Sequence, residues 1–235
     1  MIAALPRPLL GRGVRALLRR RLRRGLAALR IDGQDRLAAL SAQGPLLLCA
    51  NHVSFYDGLV VEWLSRGLRE TRVWMRADQL RAAPLLRWAG AFGVEDDPRD
   101  RALALRWSAR FLDRPGRGLW IFPQGALRPQ WQRPLGFQRG AALIARASGA
   151  LAVPVSLQYE LSEREQPEAW VQIGDPIEAA LLEETPSLLE SAVTRGLDQL
   201  AERIASGALP ESPWPAPARL GEGLFTRALA AVLRP

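Results

Sequence analysis

Two patterns of hydrophobic and polar positions alternate along the chain. Short apolar runs predict buried strands at 46–50, 73–75, 93–95, 118–121, 150–158 and 169–173. Stretches of helical period predict helices at 56–66, 79–88, 100–112, 137–148 and 187–206. Because strands alternate with helices along the chain, the sequence predicts an α/β fold: a single domain with a central, mostly parallel or mixed sheet flanked by helices. Pro154 predicts an edge or irregular position for its strand, since proline has no N–H to donate.

The N-terminal segment has a different pattern. Residues 9–30 place leucines along one helical face and arginines over much of the rest. This predicts a basic amphipathic helix lying in the headgroup region of a membrane, although an ordinary domain helix with a solvated arginine face fits the same pattern. No apolar run reaches the roughly 18 residues of a spanning helix, so none is expected.

We expect three parts along the chain. Residues 1–36 form a basic amphipathic membrane-interface segment, and residues 37–209 form the main domain. Residues 210–235 form a proline-rich connector and a C-terminal amphipathic helix.

Composition narrows the choice of partners. The 235 residues carry a formal net charge of +8, and every basic residue is an arginine, which favours an anionic partner. The arginines of the N-terminal segment interleave with leucines rather than with the aromatic side chains on which nucleotide bases stack. We therefore expect membrane lipids as partners and no nucleic acid. No cluster of metal-ligating residues and no glycine-rich nucleotide loop occurs, so we expect neither a metal nor a cofactor.

The candidate chemistry lies directly after the first strong strand. His52 is the single histidine of the chain, and Asp57 follows five residues later across a strand-to-helix turn. A carboxylate in that place holds an imidazole in one tautomer and stabilises the imidazolium, which suits a general base. Asp57 also fits a capping box with Ser54 at the start of the next helix. Cys49, the single cysteine, is either a small core residue or a nucleophile activated by His52.

These residues resemble a known family. Asn51 and His52-x4-Asp57 resemble the first motif of the glycerolipid acyltransferases, the lysophosphatidic acid acyltransferase superfamily. Phe122-Pro123-Gln124-Gly125, which follows a buried strand, resembles the third motif. Segments 90–96 and 153–156 are similar to the second and fourth motifs, the second without its usual final arginine.

The resemblance implies transfer of a fatty acyl group from acyl-CoA or acyl carrier protein, as cosubstrate, to a lipid hydroxyl. It implies His52 as general base oriented by Asp57, loop amides near Gly125 that stabilise the oxyanion, and a peripheral protein at the cytoplasmic face of the cell membrane. The substrate-binding positions that it implies are Asn51, Arg76, Gln124, Gly125 and Arg128.

Two departures from the third motif leave the acceptor open. Gln124 stands where the family usually has glutamate, and Leu127 stands where it has arginine, with Arg128 one residue later. If Arg128 reaches a phosphate, 1-acylglycerol-3-phosphate or a related lysolipid fits. Otherwise a phosphate-free acceptor such as a glycolipid, carotenoid glycoside or polyol lipid fits better. A non-catalytic membrane-binding homologue is the alternative from a different class.

Overall fold

A computed structural model of the protein describes residues 1–161, 165–185 and 187–208. The helices are α1 (Pro8–Gly25), α2 (Gln34–Gln43), α3 (Asp57–Leu64), α4 (Ala77–Ala82), α5 (Pro98–Phe111), α6 (Gly140–Ser148), α7 (Ala179–Glu184) and α8 (Leu188–Ser206). Short 3₁₀ helices lie at Ser65–Gly67 and Pro84–Ala89. The strands are β1 (Ala28–Asp32), β2 (Leu46–Ala50), β3 (Glu70–Arg76), β4 (Ala91–Val94), β5 (Arg117–Ile121), β6 (Leu151–Glu160) and β7 (Glu168–Ile173). The predicted C-terminal part, 210–235, lies outside the described residues.

The strands of the described residues form one mixed sheet in the order β1-β7-β6-β2-β5-β3-β4. From β6 to β4 the neighbours are parallel, whereas β7 is antiparallel to β6 and β1 is parallel to β7. The predicted class, a single α/β domain with a mixed sheet flanked by helices, is confirmed. Because β2 and β5 are parallel neighbours, the loops that follow Ala50 and Ile121 leave the same edge of the sheet.

The core has two halves, one on each face of the sheet, and β2 contributes to both. All five residues of β2 are buried, as expected for a strand covered on both faces. Leu46 and Leu48 pack on the side of α2 and α3, whereas Leu47 and Cys49 pack on the side of α5 and α6. The central strand therefore holds the chain rigidly up to Ala50, where the candidate motif begins.

Pro154 does not lie at an edge of the sheet, so the edge position expected for its strand is wrong. β6 lies between β2 and β7, and Pro154 pairs with Cys49. Its carbonyl accepts a hydrogen bond from the N–H of Gly174 at 2.9 Å, just past the end of β7. In an extended strand the N–H and the carbonyl of one residue point to the same side. The N–H that Pro154 lacks would therefore point towards β7, beyond the last regular pair of β6 and β7. Pro154 therefore occupies an irregular position of the sheet, which was the other expectation for its strand.

Two predicted helices are shorter than their periodicity suggested. The predicted helix at 9–30 ends at Gly25, and residues 28–32 instead form β1, since pairing with β7 buries Leu29 and Ile31. The sheet therefore begins before residue 37, while the membrane role of residues 1–36 stays a prediction. The helix expected at 79–88 is interrupted before Pro84, which lacks the N–H that a continuous helix requires.

Helix α1 is held on the domain by a buried acid. Arg15 and Arg19 bind the Glu62 carboxylate of α3 at 3.1 and 2.9 Å, and the Glu62 side chain is only 8% exposed. Arg15 also donates to the carbonyl of Ala89 at 2.6 Å. Helix α1 is thus a fixed part of the domain. In the part of the chain that the structure describes, no helix combines the length and the apolar character needed to cross a bilayer.

Candidate active site

The loops that follow β2 and β5 are joined by two hydrogen bonds. The backbone N–H of His52 donates to Oε1 of Gln124 at 2.5 Å. The backbone N–H of Arg128 donates to the carbonyl of His52 at 2.8 Å. The structure therefore brings together the two motifs that are most distinct in the sequence, although about seventy residues separate them.

His52 and Asp57 form a hydrogen-bonded pair. Nδ1 of His52 lies 2.7 Å from Oδ2 of Asp57. Because a carboxylate only accepts hydrogen bonds, Nδ1 carries the proton and the neutral ring keeps its lone pair on Nε2. Nε2 forms no hydrogen bond within the described residues, and the His52 side chain is 21% exposed. The free nitrogen can therefore accept a proton from a bound molecule.

The carboxylate of Asp57 has no exposure to solvent and is held by backbone donors. Its Oδ2 accepts hydrogen bonds from the N–H groups of Val53 at 2.7 Å and Ser54 at 2.9 Å. The Ser54 hydroxyl in turn accepts one from the N–H of Tyr56 at 3.1 Å. These bonds close the turn that leads into α3. The helix itself begins at Asp57, with Tyr56 as its N-cap and no side-chain cap, so Ser54 is not the N-cap that the sequence predicted.

A tyrosine that sequence reasoning missed completes the surroundings of Asp57. The hydroxyl of Tyr159, near the carboxyl end of β6, donates to Oδ1 of Asp57 at 2.7 Å. Burial and the neighbouring carboxylate raise the pKa of Tyr159 well above its ordinary value, so it keeps its proton and acts as a donor. No motif marks this residue, because its role depends on β6 lying next to β2.

The imidazole also stacks on an aromatic ring. The rings of His52 and Phe122 lie 4.3 Å apart at an angle of 22°. Phe122 begins the loop after β5, so this loop supports one face of the imidazole while Asp57 holds its Nδ1 edge.

Comparison with known proteins now decides the family. Residues 28–158, more than half of the chain, match the family model described as Acyltransferase. The chain belongs to the acyltransferase family. The matched range contains both loops of the site and every residue that sequence analysis assigned to it. The family expected from the sequence is therefore confirmed.

The fold of this acyltransferase is similar to a solved structure. The 1-acyl-sn-glycerophosphate (LPA) acyltransferase, PlsC, from Thermotoga maritima superposes with a TM-score of 0.62 at 16% identity. The likeness covers 82% of this chain and 80% of that one, and at this identity it shows a shared fold. A search of curated proteins found no match to the chain.

Gln124 presents a donor where the family usually has a carboxylate. The side chain is only 4% exposed, and its Oε1 is used by the N–H of His52. Its Nε2 is therefore the end left to donate, and it forms no hydrogen bond with the residues that the structure describes. Glutamate at this place would also accept the bond from His52, but it would add a negative charge and offer no donor.

Gly125 forms the turn of the third motif. Its φ of +71° lies in the left-handed region, and a Cβ here would lie 2.7 Å from Nε2 of Gln138. Its N–H donates to the carbonyl of Phe122 at 3.0 Å. Glycine is thus needed for the backbone, and its own amide is already used inside the turn.

Asn51 lies behind the site. Its side chain is completely buried, its Nδ2 donates to the carbonyl of Leu157 at 2.8 Å, and its Oδ1 accepts from the N–H of Leu157 at 2.8 Å. The amide is therefore bonded at both ends and has no exposure to solvent, so the structure gives Asn51 a structural place rather than the substrate contact that the sequence predicted. Asn51 instead ties the end of β2 to β6.

The two arginines predicted to contact substrate differ in placement. Arg128 lies in the loop that contacts His52, its side chain is exposed, and its guanidinium has no partner among the described residues. Arg76 ends β3, two strands from β2, and forms a two-point ion pair with Asp78 at 3.0 and 2.7 Å. Arg128 is therefore the better placed of the two to meet an anion near His52.

Cys49 is a core residue. Its side chain is fully buried, and burial raises the pKa of the thiol. A nucleophilic cysteine needs access and a stabilised thiolate, and Cys49 has neither. The alternative in which Cys49 is a nucleophile activated by His52, as in a hydrolase, is therefore contradicted.

We expect Asn51→Ala to destabilise the protein by about 2–4 kcal/mol, because it leaves a buried N–H and a buried carbonyl of Leu157 without partners. Urea unfolding followed by circular dichroism measures this change. Gln34→Ala, at an exposed position of α2, is the control and should change the free energy of unfolding by less than about 0.5 kcal/mol. Equal effects of the two substitutions would contradict the structural role of Asn51.

Proposed function

We propose that this acyltransferase moves a fatty acyl group from a thioester of coenzyme A or acyl carrier protein to a lipid hydroxyl. The proposed acceptor is 1-acylglycerol-3-phosphate or a related lysolipid. The observation that carries this proposal is the His52–Asp57 pair, whose Nε2 is unbonded within the described residues while Nδ1 is held at 2.7 Å from a buried carboxylate. The acyl thioester is consumed as cosubstrate, and no other cofactor takes part.

The proposed reaction is a direct transfer. Nε2 of His52 takes the proton of the acceptor hydroxyl while that oxygen attacks the thioester carbonyl carbon. The tetrahedral intermediate collapses with cleavage of the carbon–sulfur bond, and the departing thiolate takes the proton back from the imidazolium. Asp57 stabilises the imidazolium between these two steps and keeps the ring in place.

The free donor of Gln124 supports stabilisation of the intermediate. Oε1 of Gln124 is fixed by the N–H of His52, so the amide plane is held beside the base and Nε2 is the end that remains for a ligand. A preorganised donor next to a developing oxyanion is among the largest contributions to acyl transfer. Gln124 fits this role better than the N–H of Gly125, which is used inside its own turn.

The choice of acceptor depends on Arg128. Its exposed guanidinium has no partner among the described residues, and an arginine fork matches the oxygens of a phosphate. The Thermotoga maritima protein that shares this fold is named as a 1-acyl-sn-glycerophosphate acyltransferase, which supports the same acceptor class. A phosphate-free lipid is the second candidate, favoured by Leu127 at the position of the family arginine.

A peripheral position at the cytoplasmic face of the membrane is part of the proposal. Leu17 of α1 and Phe55 of the His52–Asp57 loop are each 64% exposed. The guanidinium of Arg21 lies one turn after Leu17 and 5.2 Å from the ring centroid of Phe55. Exposed apolar side chains among arginines suit the interface of an anionic bilayer, and this surface adjoins His52.

His52→Ala should lower kcat about 10²–10⁴-fold, because it removes the base while the fold stays intact. Transfer of a labelled acyl group from acyl-CoA to 1-acylglycerol-3-phosphate measures the loss, and circular dichroism checks the fold. Wild-type turnover in a folded His52→Ala protein would contradict the mechanism.

Arg128→Gln should lower kcat/KM for 1-acylglycerol-3-phosphate about 10–100-fold and leave a phosphate-free monoacylglycerol unaffected, because only the first acceptor loses charge-assisted hydrogen bonds. Arg106→Gln, which removes an exposed arginine from α5 on another part of the surface, is the matched control. Equal losses on both acceptors would contradict phosphate binding by Arg128. Transfer by the wild type to phosphate-free lipids alone would establish the second candidate.

Leu17→Ser should weaken binding to phosphatidylglycerol vesicles about tenfold, since it removes apolar surface that enters the bilayer. Vesicle sedimentation measures the affinity. Leu103→Ser is the control, because Leu103 is 52% exposed on α5, which packs against the opposite face of the sheet. The proposed membrane surface is wrong if both substitutions weaken binding equally.

A further inference from the structure

We propose that Tyr159 is a positioning residue that sets how strongly Asp57 holds the imidazole of His52. This inference rests on the proposed function, because it concerns the same base. Its starting point is a hydrogen bond of 2.7 Å from the Tyr159 hydroxyl to Oδ1 of Asp57, on the opposite oxygen from the one that binds His52.

The two oxygens of Asp57 have different partners. Oδ2 receives Nδ1 of His52 and the N–H groups of Val53 and Ser54, all supplied by the segment that contains Asp57 itself. Within the described residues, Oδ1 receives a hydrogen bond from Tyr159 alone, which comes from β6. Tyr159 is therefore the contact that fixes the rotation of the carboxylate relative to the sheet, and the segment 52–57 cannot supply this restraint alone.

The hydroxyl also controls the charge that His52 meets. A donor on Oδ1 draws negative charge away from Oδ2 and so weakens the attraction between Asp57 and a protonated imidazole. Because the carboxylate is fully buried, no solvent screens this effect. Tyr159 thereby limits how firmly Asp57 holds the imidazolium, which must return its proton to the leaving thiolate.

Tyr159 is itself fixed by the neighbouring loop. The backbone N–H of Tyr159 donates a hydrogen bond to Oε1 of Gln130 at 3.1 Å. Gln130 lies in the loop that also contains Arg128, whose N–H is bonded to the carbonyl of His52. The end of β6 and the third-motif loop thus form one unit around the pair.

Other ionisable side chains come from the elements around the pair, and within the described residues none of them forms a hydrogen bond with the side chain of His52 or of Asp57. They come from the same loop, from α1, from the loop after β5 and from the end of β6: Tyr56, Arg21, Arg128 and Glu160. Within the described residues, Tyr159 is the side chain that shares Asp57 with His52. A change at Tyr159 should therefore alter the titration of His52 more than a change at any of these groups.

The test follows the imidazole of His52 by NMR during a pH titration of the full chain. His52 is the single histidine, so its signals need no further assignment. Tyr159→Phe should move the midpoint of the His52 titration to higher pH by about half a unit or more, because Asp57 then holds the imidazolium more strongly. In parallel, kcat for acyl transfer should fall about tenfold while KM changes less than about twofold.

Tyr56→Phe is the matched control. It removes the hydroxyl of the other tyrosine in the chain, and that hydroxyl forms no hydrogen bond within the described residues. The ring centroids of Tyr56 and Tyr159 lie 6.3 Å apart. The midpoint in Tyr56→Phe should equal that of the wild type. No shift in Tyr159→Phe, a shift to lower pH, or equal shifts in the two variants would each overturn the proposal.

A second measurement does not depend on the folding of Tyr159→Phe. In the Tyr56→Phe protein, Tyr159 is the single remaining tyrosine, so 3-fluorotyrosine labels it alone. The more acidic hydroxyl donates more strongly to Asp57, and the midpoint should move to lower pH. The titration needs no acyl transfer, so a wild type without activity on any acceptor would refute the proposed function and leave this test standing.

Discussion

A fully buried carboxylate is the interaction on which the site depends. An ionised Asp57 without exposure to water is stable only where donors replace its hydration. The described residues supply four: two backbone N–H groups, the imidazole and the Tyr159 hydroxyl. The same donors fix both oxygens of the carboxylate. His52 therefore has a partner with a defined position and a defined charge.

The order of the strands supplies those donors. β2 lies between β5 and β6, so the loop that begins at Asn51 has the third motif on one side and Tyr159 on the other. Asn51 bonds the backbone of Leu157 on β6, and Gln124 bonds the backbone of His52. The loop that carries His52 and Asp57 is thus hydrogen-bonded on both sides, to β6 and to the loop after β5. The buried residues of β2 hold the start of this loop in place.

The sequence predicted the features that depend on residues close together in the chain. It did not reveal the contacts that depend on the order of the strands in the sheet. The strand at 46–50, the pair of His52 and Asp57, and the class of the sheet follow from local pattern, because a buried strand and a short hydrogen-bonded turn need few distant residues. The partners of Asn51 and the role of Tyr159 depend on β6 packing beside β2, a contact about a hundred residues away along the chain. The edge position expected for the strand of Pro154 was wrong for the same reason, because the place of Pro154 inside the sheet depends on where β7 ends.

The most direct test of the account is the tautomer of the neutral imidazole, read from the ¹⁵N chemical shifts of the single histidine. We expect Nδ1 to bear the proton, because it donates to Asp57, and Nε2 to be unprotonated and ready to act as a base. A neutral ring with its proton on Nε2, or with the proton shared equally between the two nitrogens, would contradict the central claim that Asp57 holds His52 as a base.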